Sequence, residues 1–173
     1  FYIGKYETGV EGEARTYGSN TENPTETPII KQNVHPYTYI TNSQAQALAT
    51  NMESGNCTTS LLFGVQWDLV LKYLETKGTS QDELKTDSIS WANYIHPILV
   101  TGSDEKYSKQ GIYNLAGNVQ EFTLEEYPNH PPCVRRGGNL SYSEYYNNES
   151  ACTRSGDLED TMSDDIGFRV ALY

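Results

Sequence analysis

The chain has 173 residues, enough for one substantial core, and carries 12 Lys and Arg against 23 Asp and Glu, a formal net charge of −11. This acidic balance, with no basic stripe, excludes nucleic-acid backbones and anionic membranes as expected partners. No apolar run approaches the ~18 residues of a membrane span, so we expect no direct membrane insertion. Because 14 Tyr argue against disorder, the sequence predicts one globular domain over residues 1–173 with a polar, tyrosine-rich surface.

In the N-terminal part, apolar and polar residues alternate only over the first seven positions. Residues 1–7, FYIGKYE, alternate large apolar groups with small or charged ones and predict a short strand. The chain opens in the middle of this strand, so we expect a domain cut from a longer precursor. Residues 8–41 are rich in Gly, Pro, Thr and Asn and predict an irregular connection with a turn at Pro36, before TYI at 38–40.

Two segments have apolar residues at helical spacing: Ala45, Leu48, Ala49 and Met52, then Trp67, Val70, Leu71 and Leu74. The first set predicts a helix over 44–53, capped by Asn42 or Ser43. The second predicts a helix over about 64–77 that stops at Gly78. From residue 79 onward, short apolar pieces alternate with turn residues and indicate short strands, so the composition is α+β.

The cysteines and histidines give no strong metal or redox signature. Cys57, Cys133 and Cys152 cannot all pair within the chain, so one disulfide (Cys133 with Cys152, or Cys57 with either) and three free thiols both remain open. The only imidazoles belong to His35, His96 and His130. Each precedes a proline and has no partner at helical spacing, which indicates loop histidines rather than an iron or zinc site.

Three stretches resemble one protein family in order and spacing: GIYNLAGNVQEF at 111–122, VRRGGN at 134–139 and DDIGFRVAL at 164–172. They are similar to the C-terminal signature of the formylglycine-generating enzyme, or sulfatase-modifying-factor, family. The resemblance implies an α+β, C-type-lectin-like fold with two helices, a small twisted antiparallel sheet, long loops and adjacent terminal strands. It also places Arg154 and Arg169 inside the scaffold, where they would bind carbonyls and carboxylates.

The resemblance also implies a non-catalytic member. Enzymes of this family carry two cysteines, and the positions that match them here hold Tyr142 and Asn147. Neither side chain binds a soft metal ion or activates oxygen through a thiolate, and we expect no copper or iron.

A calcium site is a further implication of the family. Its members hold Ca²⁺ with an Asn side chain, two backbone carbonyls and a Glu, and the matching residues here are Asn114, Gly117, Val119 and Glu121. Mixed oxygen ligands suit Ca²⁺, but a single carboxylate predicts modest affinity. A hydrogen-bonded turn without metal is the alternative.

The segment after the Gly-Gly pair has the composition of a binding surface. Eight of the ten residues at 139–148 are Tyr, Asn or Ser, which combine large amphipathic contacts with adaptable hydrogen bonds. With the acidic run at 157–165, they give the predicted ligand-binding residues: Asn139, Ser141, Tyr142, Ser143, Tyr145, Tyr146, Asn147, Asn148, Asp157 and Asp160. A solvated acidic loop is the alternative interpretation of that run.

Residues 138–166 resemble a more specific type of region. In variable proteins of diversity-generating retroelements, in phages and bacteria, adenine-directed mutagenesis rewrites a C-terminal repeat that ends near a Gly-Phe-Arg strand. The resemblance implies a hypervariable protein, on a bacterial cell surface or a phage virion, that binds a protein or glycan ligand; the oligomeric state is not indicated. The alternatives are an invariant adhesin-type binding domain of the same fold and a formylglycine-generating-type oxidase.

Overall fold

The computed structural model describes residues 1–19, 24–52, 55–86, 88–127, 133–140 and 150–173. The helices are α1 (Asn42–Thr50), α2 (Gly64–Thr76) and α3 (Gln81–Lys85). The strands before α3 are β1 (Tyr2–Ile3), β2 (Gly9–Val10), β3 (Pro28–Ile29), β4 (His35–Pro36) and β5 (Thr59–Leu61). The later strands are β6 (Ser108–Lys109), β7 (Ile112–Tyr113), β8 (Gln120–Phe122), β9 (Cys133–Arg136), β10 (Arg154–Asp157), β11 (Ile166–Phe168) and β12 (Val170–Leu172).

The strands from the two ends of the chain lie side by side. β12 pairs antiparallel with β1, with Tyr2 opposite Leu172, and antiparallel with β5 on its other edge. A second sheet has the order β10-β9-β8-β11. In it β8 and β11 run parallel, so the predicted antiparallel sheet has one parallel pair. Smaller antiparallel ladders join β3-β2-β4 and β6-β7.

Both predicted helices are present, and α1 starts and ends earlier than predicted, at Asn42 and Thr50. α1 begins at Asn42 because Thr41 caps it: the Gln44 backbone N–H donates to Thr41 Oγ1 at 3.2 Å, and Gln44 Oε1 accepts from the Thr41 N–H at 3.1 Å. The helix start predicted at residue 44 was therefore late, and Asn42 and Ser43 are not the cap. α2 agrees with its prediction and ends before Gly78, whose φ is +101°. α3 was not predicted, since five residues are too few for an apolar stripe.

The core has two clusters of buried side chains. Trp67 and Leu74 of α2 pack with Leu84 of α3 in one cluster. Phe122 of β8 and Phe168 of β11 belong to the other, on which α1 lies. Val170 and Ala171 are neighbours in β12 but belong to different clusters. Because alternate strand residues face opposite sides, β12 separates the two clusters.

Of the two alternatives for the cysteines, the structure has three free thiols. Cys133 is buried, Cys57 is exposed and Cys152 is partly exposed. None of the helices formed by the described residues is long and apolar enough to cross a bilayer.

Candidate ligand-binding site

The Tyr/Asn/Ser-rich segment begins and ends at buried residues. Seven of its predicted ligand-binding residues fall outside the described residues: Ser141, Tyr142, Ser143, Tyr145, Tyr146, Asn147 and Asn148. Leu140 precedes them and is buried, and Ser150 and Ala151 follow them and are also buried. Ala151 accepts a hydrogen bond from Trp67 Nε1 at 2.9 Å, and Ser150 Oγ donates to the Lys85 carbonyl at 3.1 Å. The scaffold therefore fixes the chain on both sides of the segment.

The Gly-Gly pair before the segment is required by close packing. Gly137 has φ of +81°, and a Cβ built there would lie 2.6 Å from the Leu115 carbonyl oxygen. A Cβ at Gly138 would clash with the carbonyl oxygen of Ala116. No side chain fits at either position, so the glycines let the chain leave β9 pressed against the turn at 115–116.

The three described members of the predicted ligand-binding set differ in exposure. Asn139 is 4% exposed, and its Nδ2 donates to Asp165 Oδ2 at 2.6 Å. Asp157 lies at the end of β10, where its carboxylate is 3.0 Å from Arg135 Nε. Asp160 is exposed in the following turn. The structure thus places Asn139 and Asp157 in contacts that hold the scaffold, and Asp160 at the surface.

A buried carboxylate that the sequence did not predict, that of Glu7, packs against the turn at 114–119. Glu7 is fully buried and accepts hydrogen bonds from Asn114 Nδ2 at 2.9 Å, Asn118 Nδ2 at 3.0 Å and the Val119 N–H at 3.4 Å. Burial, and then the negative charge of Glu121, raise the pKa of Glu7 to about 8. Glu7 is therefore mainly a neutral acid at pH 7.

Arg169 joins this centre to the terminal strands. Its guanidinium is fully buried, and it donates to Glu121 from Nε at 3.0 Å and from Nη2 at 2.6 Å. It also donates to the carbonyls of Gly4 at 2.8 Å and Tyr113 at 2.7 Å. These are the carboxylate and carbonyl contacts that the resemblance implied for Arg169.

The four residues predicted to hold calcium fit the ion only in part. Asn114 Oδ1 is buried and has no hydrogen-bond partner among the described residues, so it could serve as a ligand. The Glu121 carboxylate, the only charged member of the set, already accepts hydrogen bonds from Arg169. Gly117 and Val119 lie in the same turn, where a Cβ on Gly117 would meet the backbone of Asn93, and the Val119 N–H, not its carbonyl, donates to Glu7. No group of three His, Cys, Asp or Glu in the described part of the chain is arranged to hold a metal. Calcium binding stays a prediction of the resemblance.

A second arginine network lies nearer the surface. Arg136 is 2% exposed at its side chain and Arg154 is 44% exposed, and both contact Asp68 and Glu125. Arg154 Nε is 2.8 Å from Glu125 Oε1, and Arg136 Nη1 is 3.1 Å from Glu125 Oε2. Arg154 therefore binds carboxylates, as the resemblance implied, but from a half-exposed position.

The family model of the sulfatase-modifying factor enzyme 1-like domain matches residues 4–173. The chain belongs to this family. Its members' fold class, α+β and C-type-lectin-like with adjacent terminal strands, is the one observed here, which confirms the prediction from the three sequence stretches. The sulfatase-modifying-factor signature at 111–122, 134–139 and 164–172 therefore corresponds to the turn before β8 with β8 itself, to β9, and to the closing strands β11 and β12.

The solved structures that resemble this sulfatase-modifying-factor domain include Treponema denticola variable protein 1 and CarF. Treponema denticola variable protein 1 has a TM-score of 0.60 at 17% sequence identity, over 97% of this chain and 82% of that chain. CarF, known from its crystal structure, has a TM-score of 0.61 at 15% identity, over 99% of this chain and 75% of that chain. At these identities the likeness shows the fold. A comparison with curated proteins gave no match.

Proposed function

We propose that this domain is a non-catalytic binding module, the hypervariable protein of a diversity-generating retroelement, which presents residues from within the range 139–165 to a protein or glycan ligand. The observation that carries the proposal is a Tyr/Asn/Ser-rich segment joined at both ends to buried scaffold residues, Leu140 and Ser150. The name of Treponema denticola variable protein 1, which shares the fold, agrees with it. We place the protein on a bacterial cell surface or a phage virion.

The anchors support binding on energetic grounds. A loop with fixed ends has less conformational entropy to lose when a ligand orders it than a free tail of the same composition. Tyrosine adds large contact area while fixing only two side-chain torsions, and Ser and Asn add hydrogen bonds. A segment that need not pack into the core can therefore change sequence while Gly137, Gly138 and the strands around them keep the fold.

The cysteines support the absence of catalysis. Tyr142 and Asn147 stand where the family's enzymes carry their cysteine pair. Burial, followed by the acidic charges of Glu159, Asp157 and Glu126, raises the pKa of Cys133 to about 11, so this thiol stays protonated at neutral pH. A protonated, buried thiol is a poor ligand for copper and a poor nucleophile.

The binding proposal is tested with Tyr142→Ala, Tyr145→Ala and Tyr146→Ala, each compared with Tyr17→Ala at an exposed position outside the segment. Binding is measured on a glycan array and on intact bacterial cells, which display both proteins and glycans. We expect losses above ~1 kcal/mol for at least one segment tyrosine and none for Tyr17→Ala. Unchanged binding in all three variants would instead favour a purely structural component.

The oxidase alternative has its own assay. The wild-type domain is incubated with copper and a Cys-x-Pro-x-Arg peptide, and aldehyde formation is followed by mass spectrometry. We expect no aldehyde. Turnover would overturn the non-catalytic part of the proposal.

A further inference from the structure

A cleft of about 370 Å³ lies between α2, α3 and the chain around Cys152. Its charged lining residues are Asp68, Lys72, Glu75, Lys85, Arg136 and Arg154. Leu71 and Leu84 add apolar wall. Four of the chain's 12 Lys and Arg line the cleft against two of its 23 Asp and Glu. Glu125 also pairs with Arg136 and Arg154, so the cleft keeps one positive charge in excess on a strongly acidic protein.

The cleft contains a buried hydrogen-bond donor without a partner among the described residues. The Nε of Arg136 is buried and has no hydrogen-bond partner in the described ranges. Lys72 Nζ pairs with Glu75 Oε2 at 2.6 Å, whereas the Lys85 ammonium makes no ion pair with any residue the structure describes. Hydrogen bonds from Lys72 and Gln81, with the charges of Lys72 and Lys85, hold the pKa of Glu75 below its usual value. Adding one anion would improve the charge balance.

We propose that this cleft binds the carboxylate of an Asp or Glu side chain from an acidic segment of a protein ligand. Guanidinium and ammonium donors suit a carboxylate, and the leucines suit the methylene groups that carry it. Inorganic phosphate would bring a second negative charge next to Asp68 and Glu75 and would leave the apolar wall unused. The lining therefore favours an acidic peptide over a small inorganic anion.

The cleft adjoins the point where the chain returns from residues 141–149. The Cys152 N–H donates to the Leu84 carbonyl at 3.1 Å, and Ser150 Oγ donates to the Lys85 carbonyl. α3, which forms one wall of the cleft, is thus hydrogen-bonded directly to the returning chain at Ser150 and Cys152. The inference rests on the proposed binding function and adds the chemistry of one part of the ligand.

The test titrates the folded domain with a fluorescent peptide that contains four Glu and blocked termini, and with the same peptide carrying Gln. Fluorescence anisotropy gives the affinity at low and at high salt, and amide NMR shifts locate the site. Lys85→Glu is compared with Lys77→Glu, which makes the same charge change on an exposed residue outside the cleft. Lys85→Gln separates loss of the charge from its reversal.

We expect the Glu peptide to bind and the Gln peptide not to bind, with shifts at Lys85, Cys152 and Arg154. Lys85→Glu should weaken binding roughly tenfold, because the ammonium of Lys85 contacts the peptide carboxylate. Lys77→Glu should weaken binding less than about twofold, because it changes only the net charge, which salt screens. Equal binding of both peptides, or equal losses in both variants, would overturn the inference. Inorganic phosphate that displaces the Glu peptide with an affinity equal to that of the peptide would also overturn the inference.

The titration also separates this inference from the proposed function. A variant with Tyr142, Tyr145 and Tyr146 all changed to Ala keeps the cleft and should bind the Glu peptide as the wild type does. If that variant loses cell or glycan binding but keeps the peptide, both proposals stand. If the peptide fails to bind while the tyrosines matter, only the cleft proposal falls.

Discussion

The molecule contains two arginine-carboxylate networks with different surroundings. Arg169 and Glu121 are both buried and fully enclosed, and their contacts tie the terminal strands to the turn at 111–122. Arg136 and Arg154 share Asp68 and Glu125 at the edge of an open cleft, and Arg154 is 44% exposed. The same pairing of residue types therefore holds the fold together in one place and faces solvent in the other.

This difference shows how a fold can tolerate changes in one segment. The enclosed network, the Gly-Gly pair and the cluster around Phe122 and Phe168 require specific residues because each contact is buried. The cleft lined by Arg154 lies outside those contacts, and the segment between Leu140 and Ser150 is the proposed diversified region. We therefore expect substitutions in the first region to change stability and substitutions in the second to change binding.

The largest effect should come from Arg169→Ala. This change leaves the Glu121 carboxylate buried without its partner, and breaking such a pair costs about 3–5 kcal/mol. Arg154→Ala, at the half-exposed pair, should cost about 1 kcal/mol at most. Urea unfolding at pH 7 measures both. Similar losses in the two variants would show that the enclosed and open networks do not differ as described.

Gly138→Ala should have the next largest effect. Its Cβ would clash with the carbonyl oxygen of Ala116, so the backbone must shift at a cost of about 1–3 kcal/mol. Gly18→Ala is the control, because the nearest atom to its Cβ is 3.6 Å away and φ is not in the left-handed region. That change should be neutral or stabilising by up to about 1 kcal/mol, and thermal unfolding of the two variants checks the contrast. A neutral Gly138→Ala would contradict the close packing.

Glu7 should give the domain a pH dependence of opposite sign to that of an ordinary ion-paired carboxylate. Its pKa is about 8 in the folded state against an ordinary 4.5, so between these values the folded state holds a proton that the unfolded state has lost. The stabilising contribution of Glu7 is complete below pH 4.5 and is lost as pH rises to about 8, at no more than about 1.4 kcal/mol per pH unit.

Glu7→Gln removes that titration while keeping the shape of the side chain. The free energy of unfolding between pH 5 and 8 should then fall less steeply than in the wild type. Glu11→Gln, at an exposed carboxylate, serves as the control and should leave the slope unchanged. Parallel slopes for the wild type and Glu7→Gln would show that Glu7 is already ionised in the folded state.

Calcium should have the smallest effect. The centre offers the neutral Asn114 Oδ1, while Arg169 already holds the Glu121 carboxylate, so binding should be weak. We expect millimolar Ca²⁺ to raise the unfolding temperature over EDTA by no more than about 2 °C, and Asn114→Ala to abolish that rise. A larger rise that depends on Asn114 would show that Glu121 leaves Arg169 for the ion.

The sequence predicted the features that rest on local periodicity or on a motif. Apolar spacing located α1 and α2, and the signature at 164–172 located Arg169 and the closing strands. It missed α3, which is one capped turn, and the strand pairs inside residues 8–41, where Gly and Pro hide any alternation.

The burial of Glu7 and Asn139 depends on contacts that are distant in the chain. Asn118 bonds Glu7 across 111 residues, and Asp165 bonds Asn139 across 26. No local pattern records either pair, so the sequence assigned Glu7 no role and placed Asn139 among the ligand-binding residues. Only the tertiary fold moves Asn139 from the binding face to the anchor.

The central claim is that a fixed scaffold carries a diversified binding segment, and the encoding DNA tests it most directly. The account predicts a near-duplicate of roughly the last 40 codons next to a reverse-transcriptase gene. The two copies should differ almost only at adenines, with differences at the codons of Tyr142, Tyr145, Tyr146 and Asn147 and none at those of Gly137, Gly138 and Arg169. The absence of any such copy, or differences spread evenly over scaffold and segment codons, would contradict it.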